Sequence, residues 1–302
     1  MKYTKVPDRG DPSNIPQIFS GFNISLLCCR FWWLKNWESE NQSFPYWRIY
    51  HNKNLGSFIT FEGITTELTP EKIILIPPYT AFSSRFKKNE MPKSGYCLEG
   101  GRIENMDYEN EFADKEVAFH MFIHFNLGIP YDFISPQIFS FDVNDDLKIE
   151  LDKVISNLQE NHEQISVQSS LSIYKIIMLT ISQIPKEFWS ITTSDQRILN
   201  VLRMIDEQLS EELTNQQMAH KANMGVNSFA RYFRDEMGMP PQQFLRQRKV
   251  QKASILLHHT NDTIEEIARL SGFCDRFHLA KVFMENTGFS PAKYRKQFYQ
   301  KS

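Results

Sequence analysis

Phe229-Ala-Arg-Tyr-Phe-Arg-Asp-Glu-Met-Gly-Met-Pro-Pro-Gln-Gln-Phe244 returns fifty positions later as Leu279-Ala-Lys-Val-Phe-Met-Glu-Asn-Thr-Gly-Phe-Ser-Pro-Ala-Lys-Tyr294. Upstream, Thr214-Asn-Gln-Gln217 is answered by Thr263-Ile-Glu-Glu266 at an offset of forty-nine, so the second copy carries one extra residue in its turn. Both tetrads have capping-box spacing: the hydroxyl accepts an orphan backbone N–H while the longer side chain reaches back to the cap. Each predicts a short helix, through Met218, Ala219 and Ala222 in one copy and Ile267, Ala268 and Ser271 in the other. A turn with Gly225 or Gly272 precedes a second helix. Its apolar residues, Phe229, Tyr232 and Phe233 or Leu279, Val282 and Phe283, have the i, i+3, i+4 spacing of one buried stripe. Gly238 and Gly288 suit left-handed caps, with Pro241 and Pro291 in the first turn of the helix that follows. Helix, tight turn, helix, stated twice, is helix-turn-helix grammar.

Once each stripe is buried, the remaining side chains decide the chemistry. Asn227, Ser228, Ala230, Arg231 and Arg234 lie off the first stripe; Arg276, Phe277, His278, Ala280 and Lys281 lie off the second. Hydrogen-bond donors are concentrated there. The N-terminal part of a recognition helix reaches base edges in the major groove, where Arg pairs bidentately with guanine and Asn with adenine. The opposing reading is a helical interaction module whose charges are merely solvated, and a capped tandem pair argues against it.

Residues 195–298 resemble the DNA-binding domain of the AraC/XylS family of bacterial transcription regulators. The resemblance rests on Ala219-x-x-Ala222, Phe229-x-Arg231-x-Phe233-x-x-x-x-Gly238, Arg248 with Ala253 and Leu256-Leu257, Ile264-x-x-Ile267-Ala268, Gly272-Phe273 and Gly288-x-Ser290-Pro291-x-x-Tyr294-Arg295. It implies two helix-turn-helix modules joined by one long helix. Asn227, Ala230 and Arg231 then match base-facing positions of the first module, and Arg276, Phe277, His278 and Lys281 those of the second. Two residues depart from the pattern. Ala230 is too small to read a base by hydrogen bonding, and Met284 stands where a second basic residue is common.

Charge follows the same division. The 302 residues carry a net charge of −2, yet residues 195–302 hold 16 Lys and Arg against 12 Asp and Glu, while residues 1–194 hold 18 against 24. The basic half is the repeated half, and a local basic face sets phosphate attraction. Cys28, Cys29, Cys97 and Cys274 form no CxxC pair and show no zinc-type spacing, which suits inert thiols in a reducing cytoplasm. Met1 to Gln17 is polar and lacks a signal core, and no apolar run approaches ~18 residues, so neither secretion nor a membrane span is expected.

Between Ile24 and Phe141 the pattern is strand-like. Ile24–Leu34, Trp47–His51, Ser57–Phe61, Lys72–Ile76 and Ala118–Phe125 are short β-branched or aromatic runs separated by Asn, Gly and Pro. A small antiparallel barrel or jelly roll is expected. Glu67-Leu-Thr-Pro-Glu-Lys-Ile-Ile-Leu-Ile-Pro-Pro78 also resembles the cupin-type sensor barrel often fused ahead of AraC-type DNA-binding domains. Alternation along Ala118–Asn126 puts His120, Phe122, His124 and Asn126 on one face, as either a polar ligand pocket or a solvated surface. His120 and His124 lie ~13 Å apart on a fully extended strand and cannot share a metal ion without a bulge, so none is expected. Tyr46, Arg48 and Tyr50 share another face, where Arg48 holds an anionic or hydroxylated ligand or pairs with an acidic residue. Trp32, Trp33, Trp37 and Trp47 either stack on a sugar or fill the barrel core.

Beyond Asp142, Leu147, Leu151, Val154, Ile155 and Leu158, then Ile173, Ile176, Ile177, Thr180 and Ile181, recur at helical spacing. They predict a hairpin joined by the polar stretch from Gln159 to Ser170, whose stripes either dimerise the protein or pack within the monomer. The resulting expectation is an α+β two-domain chain. A cupin-like ligand-sensing barrel occupies residues 1–141, the helical hairpin 142–186 and a linker 187–194. An all-α DNA-binding domain with two helix-turn-helix units fills 195–302: about 214–237, a connecting helix about 241–258, and about 263–287. The function expected is a cytoplasmic, sequence-specific transcription regulator that is homodimeric, binds double-stranded DNA, contacts RNA polymerase, answers to a small-molecule effector such as a sugar, and needs no cofactor. Two rivals stand beside it: a cupin-class enzyme with an appended binding domain, which needs convergent His and Glu ligands, and an effector-independent architectural or protein-interaction module, indifferent to DNA sequence.

Overall fold

A computed structural model describes residues 22–86, 96–104, 107–113, 115–128, 130–132, 134–161, 163–189 and 195–296. The expected polar N-terminus and the linker's last five residues, 190–194, lie outside the described residues. Among the described residues nine strands form one antiparallel sheet: β1 (Ser25–Gln42), β2 (Trp47–Asn52), β3 (Ser57–Phe61), β4 (Ile64–Leu68), β5 (Lys72–Ile76), β6 (Phe82–Phe86), β7 (Tyr96–Arg102), β8 (Ala118–Asn126) and β9 (Phe139–Asp142). Their order is β4-β3-β6-β1-β8-β2-β5-β9, with β7 also paired to β1. At 18 residues β1 is long enough to serve three neighbours, pairing β8 first, β7 next and β6 at its end. Its register shifts between Leu26 and Cys28, between Leu34 and Asn36 and between Ser39 and Gln42. Bulges of this kind bend a strand and sharpen its twist, so the sheet curls into a half-barrel.

The two faces of that sheet are both covered, by different things. Met121, Ile123 and Phe125 of β8 join a core with Leu147, Leu151, Val154, Ile173, Ile176 and Ile177. Those last residues belong to α2 (Asp145–Glu160) and α3 (Val167–Ile181), capped by Asn144 and Ser166, which lie against the convex side. A four-residue helix, α1 (Tyr108–Glu111), adds Tyr108 to the same core. The apolar stripes expected to dimerise the hairpin are therefore buried inside the monomer, each large aliphatic side chain contributing about 1.5–3 kcal/mol. On the concave side Tyr46, Tyr50, Ile59, Ile74 and Phe82 form a second cluster. His120 and His124 face this side and are buried, which removes the solvated-face reading of their strand.

The C-terminal half is helical: α4 (Gln196–Glu207), α5 (Asn215–Lys221), α6 (Val226–Met237), α7 (Pro241–His259), α8 (Ile264–Leu270), α9 (Arg276–Thr287) and α10 (Pro291–Lys296). It has two cores. Ile198, Val201, Leu202, Ile205, Phe229, Phe233 and Phe244 make the first; Ala253, Leu257, Ile267, Leu279, Phe283 and Tyr294 make the second. Both capping boxes form, Thr214 with Gln217 and Thr263 with Glu266. Gly238 and Gly288 close α6 and α9 in the left-handed region, at φ 73° and 74°.

The two turns, each placed as expected before the second helix, differ from one another. Gly225 is the N-cap of α6 with an ordinary φ of −68°, and the left-handed residue of the first copy is Asn223 at φ 52°. Its counterpart is Gly272 at φ 79°, where a Cβ would sit 2.2 Å from the Leu209 carbonyl oxygen. Asn tolerates the left-handed region by local hydrogen bonding, whereas the second copy has no room for any side chain.

Candidate nucleic-acid interface and interior cavity

The stripes of α6 and α9 are buried as their spacing requires, and their other sides face solvent. Asn227, Ser228, Arg231 and Arg234 on α6 are exposed, with Ala230 partly covered. On α9, Arg276, Phe277, His278 and Lys281 are exposed, Phe277 to 71%. Position by position, Asn227 answers to Phe277, Ser228 to His278, Arg231 to Lys281 and Arg234 to Met284. Asp275 caps α9, its Oδ1 accepting from the Phe277 and His278 amides at 2.8 and 2.7 Å. Those hydrogen bonds, the His278 amide's first, hold the Asp275 carboxyl below its ordinary range. Arg276 lies over the Phe277 ring at 4.8 Å and 4.0 Å from Glu265, so its guanidinium is loosely held and free to turn to another acceptor.

Inside the half-barrel is a cavity of about 380 Å³. Arg48, Tyr50, His120 and His124, named from the sequence, line it, while Tyr46 stands behind Arg48. Arg48 is only 5% exposed and donates from Nη1 to the Tyr50 hydroxyl at 2.8 Å and from Nη2 to the Tyr46 hydroxyl at 3.0 Å. Its guanidinium stacks 3.2 Å above the Phe44 ring, and its buried Nε has no hydrogen-bond partner. The expected acidic partner is absent among the described residues, because the strand face around Arg48 is built of tyrosines and histidines. A buried cation held only by hydroxyls and an aromatic face favours an anion as its complement.

Trp32 and Trp37 border the cavity, whereas Trp33 packs on Phe112 and Trp47 lies in the convex-side core, donating from Nε1 to Asp132 at 3.0 Å. Asp132 also accepts from the Leu127 and Gly128 amides; burial nonetheless pushes its carboxyl up to about 6. Burial likewise pushes the His120 imidazole down to about 3, His259 down to about 4, and His124 and His258 well below the usual range. All four are neutral near pH 7.

The far wall of the cavity comes from the other half of the chain. His258 and His259, the last two residues of α7, line it. Tyr46, which accepts from Arg48, is hydrogen-bonded through the same hydroxyl to His258 Nδ1, and His124 Nδ1 meets His259 Nε2 at 3.1 Å. Gln251 donates to the Pro45 carbonyl at 2.7 Å, and Ile255 enters the concave-side core. Sequence reading missed these four residues. Ile255 looked like one more aliphatic on a helix, and the adjacent histidines were the only signal available.

Comparison with known proteins agrees with the helical half's geometry. Residues 218–297 match the family described as a helix-turn-helix domain. The HTH-type transcriptional regulator MtrA of Neisseria gonorrhoeae is 30% identical over 107 residues, 35% of this chain and 36% of that protein. The HTH-type transcriptional activator RhaS of Klebsiella pneumoniae is 24% identical over 120 residues, 40% and 42% of the two chains. These matches span about two fifths or less of either relative. Across almost the whole length, the fold is that of ToxT from Vibrio cholerae, solved bound to (E)-4-(8-methylnaphthalen-1-yl)but-3-enoic acid. The TM-score is 0.50 at 10% identity, covering 91% of this chain and 99% of that one. Among the described residues no helix is long and apolar enough to cross a membrane.

Proposed function

We propose that this chain is a sequence-specific DNA-binding transcription regulator in which α5–α6 and α8–α9 are two helix-turn-helix units. The observation that carries the reading is the outward display of Asn227, Arg231, Arg234, Arg276 and Lys281 on two helices held by matching caps. The 19 residues of α7 span ~28 Å at about 1.5 Å each, which suits reading heads one DNA turn, ~34 Å, apart. Arg231, Asn227, Arg276 and Lys281 contact base edges, Ser228 and His278 add further hydrogen-bonding groups, and Arg234 grips phosphate. The exposed Phe277 ring suits contact with a thymine methyl.

In this reading the half-barrel is a cupin-like sensor, and its cavity takes an apolar carboxylate in preference to the sugar expected from sequence. Arg48 supplies the cation, and Leu27, Leu34, Trp37, Phe82 and Phe122 supply an apolar wall. ToxT, which shares the fold, was solved with an apolar carboxylic acid. Because α7 forms part of the cavity wall, such a ligand touches the helix that joins both reading heads. It shifts DNA affinity by as much as it prefers one placement of α7. Dimerisation uses the outer side of α2 and α3, where Ile149, Leu171 and Met178 remain exposed. The protein acts in the cytoplasm, contacts RNA polymerase from its DNA site and catalyses no reaction.

Selection of bound fragments from random DNA tests the core of this reading. A single enriched motif is expected, and Arg231→Ala loses about 1–3 kcal/mol on it while relaxing one base position. Equal loss on selected and random DNA would rule out base reading by Arg231; no enriched motif at all leaves the architectural rival standing. Calorimetry with a medium-chain fatty acid, against Arg48→Met, tests the effector. Sedimentation of Leu171→Glu tests the dimer, which that charge is expected to dissociate.

A further inference from the structure

We propose that Cys28, His124 and His259 form a binding site for a zinc-class transition-metal ion that pins the end of α7 to the half-barrel. One ligand atom from each of these residues lies within 4.8 Å of the other two. Cys28 and His124 are directly opposed across the β1–β8 ladder, next to the bulge between Leu26 and Cys28, and His259 reaches them from the other half of the chain. The three come together only in the folded chain, which is why no metal-type spacing is visible along the sequence.

The two histidines are already arranged as ligands. His259 Nδ1–H donates to the Ile255 carbonyl at 3.1 Å, fixing the tautomer that leaves Nε2 with a bare lone pair. A second hydrogen bond of this kind, orienting the ring from behind, is the usual companion of a metal-bound imidazole. That Nε2 stands 3.1 Å from His124 Nδ1. Two nitrogens on a tetrahedral zinc ion, each ~2.0–2.1 Å from the metal, lie roughly 3.3 Å apart, and a thiolate sulfur lies about 3.6 Å from each. The histidine pair is thus within a few tenths of an ångström of ligand spacing, and the Cys28 thiol, within 4.8 Å of both, has to draw in by at most about 1.2 Å.

Binding releases one proton, from the Cys28 thiol, and shifts the His124 proton from Nδ1 to Nε2. Soft sulfur with two imidazoles selects zinc, cobalt, nickel or copper over magnesium or calcium. The thiolate cancels one charge of a divalent ion, and Arg48 also borders the cavity, so the open fourth position suits an anion such as hydroxide or a ligand carboxylate.

The test uses the full chain in a Cys274→Ser background, since Cys274 Sγ lies 3.2 Å from His278 Nδ1 on the surface and is the competing thiol–imidazole pair. One equivalent of cobalt(II) is expected to bind, with thiolate charge-transfer absorption and tetrahedral d–d bands, and zinc to displace it. Cys28→Ser and His259→Gln, each verified as folded by circular dichroism, should weaken zinc binding by at least about tenfold, since outer-shell changes alone cost that much. Zinc should also slow amide exchange in the last turn of α7. No binding at micromolar metal, no charge-transfer band, affinity unchanged by Cys28→Ser, or exchange in α7 unaffected by bound zinc would each overturn the proposal.

Discussion

The two helix pairs share one scaffold and differ in almost every exposed residue of their second helices. Phe233 and Phe283 are both fully buried, both short helices carry capping boxes, and both second helices end on a left-handed glycine. Outside, Asn227 faces Phe277 in the alignment, and Arg234 faces Met284. The inward residues answer to packing, which is the same problem twice. The outward ones are released from packing, and they differ in chemistry: hydrogen-bonding and basic on the first, mixed apolar and basic on the second.

If the scaffolds are equivalent, Phe233→Ala and Phe283→Ala should each cost about 3–5 kcal/mol in urea unfolding. A difference above about 1 kcal/mol would show that the two cores are not interchangeable. The turns should break the symmetry next. Gly272→Asn should destabilise by about 1–3 kcal/mol, because it drives a Cβ into the Leu209 carbonyl, while Asn223→Gly should change stability by only a few tenths. Exchanging the outward pair, Arg234→Met with Met284→Arg, should leave thermal unfolding unchanged. For the single variants, the slope of log affinity against log salt on random DNA should shift by about one in opposite directions.

The smallest effect concerns acid. Glu266 is held below its ordinary value by the Thr263 amide and hydroxyl, whereas Gln217, its counterpart, takes up no proton. A depressed carboxyl stabilises the fold above its unfolded pKa, and that contribution disappears as pH falls through the folded value. Amide exchange in α8 should therefore quicken relative to α5 below about pH 4.5, and Glu266→Gln should remove the difference. A carboxylate elsewhere behaves likewise: Glu150, lowered to about 2 by Ser172, Lys153 and Lys175, ties α2 to α3. That tie should persist at pH 4 and loosen as pH approaches 2.

The helical half was legible because its determinants are local. A cap, a stripe and a glycine lie within one or two turns of each other, and repetition separates them from chance. In the sheet, apolar runs such as Lys72–Ile76 announced themselves, but β4, with Thr65-Thr66-Glu67, and β6, with Ser83-Ser84-Arg85, did not. Their identity as strands comes from pairing with β3, not from their own composition. The surroundings of Arg48 were half visible. Its strand neighbours Tyr46 and Tyr50 share its face by alternation alone, but His258 reaches Tyr46 from 212 residues away and Gln251 reaches Pro45 from 206. No periodicity reports a contact at that distance, nor the register that sets Cys28 against His124.

That long-range seating of α7 bears on how the chain can be rearranged by engineering or evolution. Grafting residues 195–302 onto a foreign sensor would strip Gln251, Ile255, His258 and His259 of their half-barrel partners in one stroke, and leave Tyr46 and Arg48 facing water on the remaining half. The two halves are not interchangeable parts. A chimera that keeps the helical pairs intact should still recognise its target, yet arrive sticky and deaf to any signal, unless the new sensor brings a surface shaped for that one helix.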